Sequence, residues 1–219
     1  MAGKSSSAAA AASAAADASS SGGGGGKTVH ARAVDVAALE LGEVRSENGR
    51  VSVPLAQAPL SVLTGSSVLV NGPVDSEFVP VPFLHVKFVS PADRRFFESF
   101  EKLVLETALS RRAEWFGKKV DADHIRASFK SFLRDGALKV RLPPEVAAFD
   151  AGGAAADVAE FFPGDSARLL LEASAVRLGR NEFGCVWTLK QLRRDPKVAC
   201  LIDTSGGASD DDSEFECFV

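Results

Sequence analysis

Hydrophobic positions alternate with polar ones over most of this chain, and switch to helical spacing in one central block. Residues 33–45 and 50–56 carry the short alternation expected of early strands. Ser66–Val70 and Phe78–Val89 are β-rich apolar runs separated by turn residues. Pro80 and Pro82 each lack an N–H, so the second run is expected to lie at a sheet edge or to start irregularly. At Ser90-Pro91-Ala92-Asp93 the spacing changes. Ser90 can cap a helix, Pro91 suits its first turn, and Asp93 suits its positive end. Phe96, Phe97, Phe100, Leu103, Val104 and Ala108 then form one apolar face of a helix reaching about Glu114. Trp115-Phe116-Gly117 ends it. A second helix is expected from Asp121, with Ile125, Phe129, Phe132 and Leu133 inward and Gly136 as its stop. Arg126, Lys130 and Arg134, spaced by four, would make a basic stripe on its exposed side.

Alternation resumes afterwards. Ala137–Leu142 and Glu145–Phe149 read as short strands, and Phe161 to Asp165 as a turn. Ala167–Leu178 is a long strand, Arg180-Asn181-Glu182 turns the chain, and Phe183–Arg193 returns antiparallel. Val198–Ile202 could add an edge strand. No segment repeats, and there is no β-α-β alternation. Several strands interrupted by helices predict a mainly β fold with a helical insertion: an OB-fold-like five-stranded barrel plus two helices.

Composition divides the chain into three parts. Residues 1–26 hold only Met, Ala, Gly and Ser with one Lys and one Asp, and predict a disordered leader. The run Ala8–Ala16 is too weakly apolar for a membrane span or signal core, and the leader has no Arg, as a transit peptide would. An intracellular protein without membrane contact is expected. Residues 27–202 suffice for one domain. Residues 203–219 predict a disordered acidic tail. The formal net charge of −4 conceals this segregation. The tail carries six acids and no base, and the domain has 24 Lys and Arg against 22 Asp and Glu. Within it, residues 111–141 carry nine bases against four acids. A basic patch with an acidic tail suits a polyanion partner and a competitor for it on the same chain. Cys185, Cys200 and Cys217 have no metal-ligand spacing and imply no disulfide framework.

Catalysis finds no support. The chain lacks G-x-S-x-G, a P-loop and H-E-x-x-H. Asp121, Asp123 and His124 read as a helix cap, a first-turn acid and a surface residue, so no metal or cofactor is expected. Single-stranded nucleic acid is held by cations along the phosphates and aromatic faces under the bases. Arg111, Arg112, Trp115, Phe116, Lys118 and Lys119 interleave the two within nine residues. Trp187, Lys190, Arg193 and Arg194 do so on the last long strand. Candidate phosphate contacts are therefore Arg111, Arg112, Lys118, Lys119, Arg126, Lys130 and Arg134, with Lys190, Arg193 and Arg194. Trp115 and Trp187 are the stacking candidates, each competing with an ordinary place in the core.

At the end of the chain, Asp210, Asp211, Asp212, Glu214 and Glu216 surround Phe215 and lead to Phe218. Such a segment could dock on a basic groove or on another protein. A non-catalytic interaction adaptor of the replication or transcription machinery is thus the alternative reading.

The hairpin from Leu169 to Arg194 carries a further signal. An apolar strand, a polar turn and then F-G-x-x-W-x-x-x-Q fall on Phe183, Gly184, Trp187 and Gln191. This resembles the closing hairpin of single-stranded DNA-binding proteins of large eukaryotic DNA viruses, particularly those infecting algae. Those are similar to the replicative single-stranded DNA-binding protein of short-tailed coliphages. The resemblance implies an OB-fold with an intervening helix. It also implies an acidic tail that competes with DNA for the groove and recruits replication proteins such as a polymerase or helicase. It allows a homodimer. Replication, recombination or repair is the implied setting, in the nucleus or at a cytoplasmic replication site of an infected or algal cell.

Overall fold

The computed structural model describes residues 28–56, 59–76 and 79–196. Its elements are β1 (Val29–His30), β2 (Arg45–Glu47), β3 (Arg50–Pro54), β4 (Leu60–Leu63), β5 (Ser67–Ser76) and β6 (Val79–Phe88), then α1 (Pro91–Ser110), α2 (Arg112–Trp115) and α3 (Ala122–Ser128). There follow β7 (Leu133–Arg134), β8 (Ala137–Arg141), β9 (Ala147–Phe149), β10 (Ala155–Ala156), β11 (Ser166–Leu178) and β12 (Phe183–Arg194). The protein is mainly β. The tail residues Asp210–Phe218 and the expected edge strand at Val198–Ile202 lie outside the described residues.

Five strands close on themselves. β11 pairs with β5, β5 with β6, β6 with β8, β8 with β12, and β12 again with β11. Only the β8–β12 contact in this ring is parallel. The remaining strands extend the sheet outside it: β1, β3 and β4 near β11, with β2 on β3, β9 and β10 beyond β12, and β7 on β8. Period-2 patterning fills the inside. Leu169, Leu171 and Ala173 of β11 and Cys185, Trp187 and Leu189 of β12 are all buried, each alternating with a more accessible residue.

Helix α1 begins where the caps predict, with the Ser90 hydroxyl accepting from the Asp93 amide. Asp93 is itself buried, and its Oδ2 accepts from the Gly65 amide at 2.7 Å, fastening the β4–β5 turn to the helix start. The apolar face of α1 then covers Trp187. Phe97, Phe100 and Phe96 meet its indole at centroid distances of 4.9, 5.3 and 6.1 Å, all edge-to-face, and Phe132 completes the cage at 6.2 Å.

Three expectations change. Residues 33–45 are not an extended strand: 3-10 turns occupy Ala31–Ala33 and Val36–Ala38, the second closed where the Asp35 carboxylate accepts from the Ala37 amide. β6 is not an edge strand: it pairs with both β5 and β8. Pro80 and Pro82 fit because the β8 ladder starts only at Phe83, opposite Arg141, and Pro82 supplies just a carbonyl, to Leu142. Finally, the second helix stops at Ser128, short of Gly136. Its expected continuation is a strap. The Lys130 amide donates to the Phe183 carbonyl at 2.8 Å. Glu101 of α1 accepts from the amides of Phe132 and Leu133 and from the Ser131 hydroxyl. Those amides are unavailable for helical bonds, so local spacing loses to tertiary partners. Asp135 and Gly136, at φ of 52° and 74°, then turn β7 into β8 as a tight hairpin.

The strap also accounts for the glycine of the F-G-x-x-W pattern. A Cβ on Gly184 would sit 2.6 Å from the Lys130 carbonyl oxygen, so no side chain fits beneath the crossing backbone.

Trp187 is fully buried at the centre of this cage. Trp187→Ala should cost about 3–5 kcal/mol of unfolding free energy, read from urea denaturation. A loss below about 1 kcal/mol would mean that the cage does not hold the ring together.

Candidate nucleic-acid interface

The outer face of β6 and β8 is built by the same alternation that fills the ring. Leu84 and Val86 point inward, so Phe83, His85 and Lys87 point out. Leu138 and Val140 are buried, leaving Lys139 and Arg141 outside. The register sets Phe83 opposite Arg141 and His85 opposite Lys139. Lys139 swings over the Phe83 ring, its Nζ 4.0 Å from the centroid. Arg134 reaches this face from the Asp135-Gly136 hairpin.

His85 is held from β5. The Asn71 Oδ1 accepts from the His85 backbone amide at 2.8 Å, which turns the Asn71 Nδ2 toward His85 Nδ1, also at 2.8 Å. Nδ2 can only donate, so Nδ1 is the acceptor and the ring proton belongs on Nε2. Burial, then the positive charges of Lys139 and Arg134, hold the imidazole below its ordinary value of 6.5. The face therefore carries a positive potential strong enough to act on one of its own bases.

At one end the face opens into a cleft of about 400 Å³ whose walls include Phe83, Lys130, Phe132, Lys139, Arg177 and Glu182. Lys130 bonds the Glu182 carboxylate at 2.6 Å. Among the described residues, Lys87, Arg134, Lys139, Arg141 and Arg177 enter no ion pair. Burial pushes the Cys185 thiol in the cleft wall up to about 12, so it is not a nucleophile. Among the described residues, no group of His, Cys, Asp and Glu could hold a metal, and no helix is long and apolar enough to cross a membrane.

The expected site residues scatter. Lys130 and Arg134 join the sheet face, though from the strap and hairpin rather than from a helical stripe. Arg126 stays on α3, 2.8 Å from Asp123. Arg112, Lys118 and Lys119 are exposed around α2, beyond a second cleft that α2 and α3 form with the β11–β12 turn. Arg111 is spent on the carbonyls of Leu41 and Gly42. Lys190 pairs with Glu172, Arg193 donates to the Ala151 carbonyl, and Arg194 reaches Asp165 and the Glu160 carbonyl. The two tryptophans are corrected outright as stacking surfaces: Trp115 is 6% exposed and Trp187 0%, so neither offers a ring face to a base.

Sequence reasoning missed Phe83, His85, Lys87, Lys139, Arg141 and Arg177. The signal was present as alternation in F-L-H-V-K-F (83–88) and A-L-K-V-R (137–141). Only the register shows that these two outward sets share one face.

A mainly β protein with a basic, aromatic-bearing sheet face is the class this geometry defines. The chain belongs to the family of unknown function DUF5871, whose model matches residues 84–203, more than half of its length. No curated protein matches it. Among solved structures it is similar to a C-terminal truncation of the single-stranded DNA-binding protein of bacteriophage Enc34, with TM-score 0.44 and 9% identity over 75% of this chain and 98% of that one. The same phage protein in complex with single-stranded DNA gives 0.40 and 10% over 74% and 98%. The single-stranded DNA-binding protein gp2.5 of bacteriophage T7 gives 0.40 and 10% over 68% and 98%. These scores fall short of a shared fold, and function has to be argued from this chain's own face.

The lowered His85 pKa has a defined sign. The fold disfavours the charged imidazole relative to the unfolded chain, which protonates it near 6.5, so its contribution to stability is complete above 6.5 and is lost as pH falls through the lowered folded value. In an NMR titration the His85 midpoint should lie below 6.5 and rise in Lys139→Ala, because one of its positive neighbours is gone. A midpoint unmoved by that substitution would place Lys139 away from the imidazole.

Proposed function

We propose that this chain is a non-catalytic, sequence-independent single-stranded DNA-binding protein serving DNA replication, recombination or repair. The observation that carries the reading is the place of the basic face in the ring. Taken in chain order, the ring strands are β5, β6, β8, β11 and β12. They pair first with second, second with third, third with fifth in parallel, fifth with fourth, and fourth with first. That order supports an OB-like reading, and OB-like barrels take oligonucleotides across their second and third strands. Here those strands are β6 and β8, which carry the cations.

Lys87, Arg134, Lys139, Arg141 and Arg177 would neutralise phosphates, and the partly exposed Phe83 would meet a base. Lys130, Lys118, Lys119, Arg112 and Arg126 would extend the path toward α2 and α3. The exposed ion pairs of Lys130 and Arg126 are each worth about 0–1 kcal/mol, little enough for a phosphate to displace the carboxylate. The tail, residues 203–219, would occupy the face when DNA is absent. Once released it would offer Phe215 and Phe218 to replication proteins.

Two measurements test this. Anisotropy of labelled oligo-dT should report salt-sensitive binding, much weaker for a duplex of the same length. The double substitution Lys139→Ala, Arg141→Ala should lower the log–log salt slope by about 1.4, at about 0.7 per phosphate contact on single strands. An unchanged slope would remove β8 from the site. Separately, deleting residues 203–219 should tighten binding. Weaker or unchanged binding would end the competition model and leave the tail to an adaptor role.

A further inference from the structure

Phe162 is the most exposed large hydrophobic residue among those described, at 63%, although its neighbour Phe161 is 1% exposed. It sits on a tightly built turn. The Phe162 amide donates to the Asp165 carboxylate at 3.1 Å, and the Asp165 amide returns to the Phe162 carbonyl at 3.1 Å. Gly164 takes the positive φ of 91° that closes the turn. Arg194 locks the base of the turn by lying over the Phe161 ring and pairing with Asp165 at 3.3 Å. Two backbone bonds then fix the turn to β5: Gly164 N–H to the Leu69 carbonyl at 2.8 Å, and Leu69 N–H to the Asp165 carbonyl at 2.9 Å.

That attachment gives the ring a position. The residue after Leu69 is Val70, itself 44% exposed, and the next is Asn71, which holds His85. His85 faces Lys139 across the β6–β8 ladder. The turn bearing Phe162 is thus fastened to β5 next to the exposed Val70, at the edge of a row that continues through Asn71 and His85 to Lys139. Neighbouring strands lie about 4.8 Å apart, so the row from β5 to β8 spans about 10 Å.

We infer that Phe162 is a base-stacking platform at the β5 edge of the nucleic-acid face. The inference rests on the single-stranded DNA reading above. A flat ring on a pre-ordered turn loses little conformational freedom when a base stacks on it. The cations about 10 Å along the same row select a polyanion over a neutral protein surface.

The test uses the full chain and oligo-dT. Phe162→Ala should weaken binding by about 5- to 150-fold while leaving the salt slope unchanged, because stacking displaces no counterions. Phe162→Leu should recover only part of that loss, since it restores apolar area without a planar face. Phe162→Trp should keep wild-type affinity, and its exposed indole should be quenched by oligo-dT above the background of the two buried tryptophans. If wild-type protein binds but Phe162→Ala binds equally well and Phe162→Trp is not quenched, this inference falls and the parent reading stands. Loss of self-association in Phe162→Ala, with oligonucleotide affinity intact, would reassign the ring to a contact between copies and also overturn it. If wild-type protein binds no single strand at all, both readings fall together.

Discussion

The described residues are arranged around the indole of Trp187. It enters from β12, the strand that closes the ring by pairing with β11 on one side and β8 on the other. A ring side chain bulky enough to fill that interior needs a lid, and α1 supplies one with Phe96, Phe97 and Phe100. Burying an aromatic of this size removes about 150–250 Å² from water, worth about 4–6 kcal/mol by area. Once α1 lies over Trp187, Glu101 is placed to collect the amides of the strap. The strap then crosses Gly184 and delivers the Asp135-Gly136 hairpin that starts β8. The strand bearing Lys139 and Arg141 is positioned by the same packing that closes the core.

This separates two tasks. Inward residues of β6 and β8 are uniformly apolar, while their outward partners gather cations around one aromatic and one neutral histidine. The like charges stand close together, and the His85 imidazole is held below its ordinary value first by its burial and then by Lys139 and Arg134. A sheet held together by its interior can tolerate such a face, and a polyanion would relieve it. The proposed function follows from that unrelieved charge rather than from a catalytic arrangement.

Local chemistry was legible in the sequence wherever short-range signals and tertiary demands agreed. Ser90-Pro91 marks the start of α1, and the β11–β12 hairpin follows its alternation from Leu169 to Arg193. It failed where a distant group captured the backbone. Residues 129–133 have helical spacing, but Glu101 and the Phe183 carbonyl take the amides a helix would use. The Asp135-Gly136 dipeptide, read as a helix stop, was the hairpin signal. The site was harder still. Basic residues flank Trp115 and Trp187 in the sequence, yet both rings are core. The cations that share a face are separated by about 50 residues, and only the register of β6 on β8 brings them together.

The most direct test of this account is an amide chemical-shift map of the labelled protein titrated with oligo-dT. The account predicts that the largest shifts cluster at residues 83–87 and 137–141, with the β11–β12 turn following. Shifts concentrated instead at residues 31–37 and 95–106, along the groove between α1 and the N-terminal turns, would contradict it, as would no shifts at all.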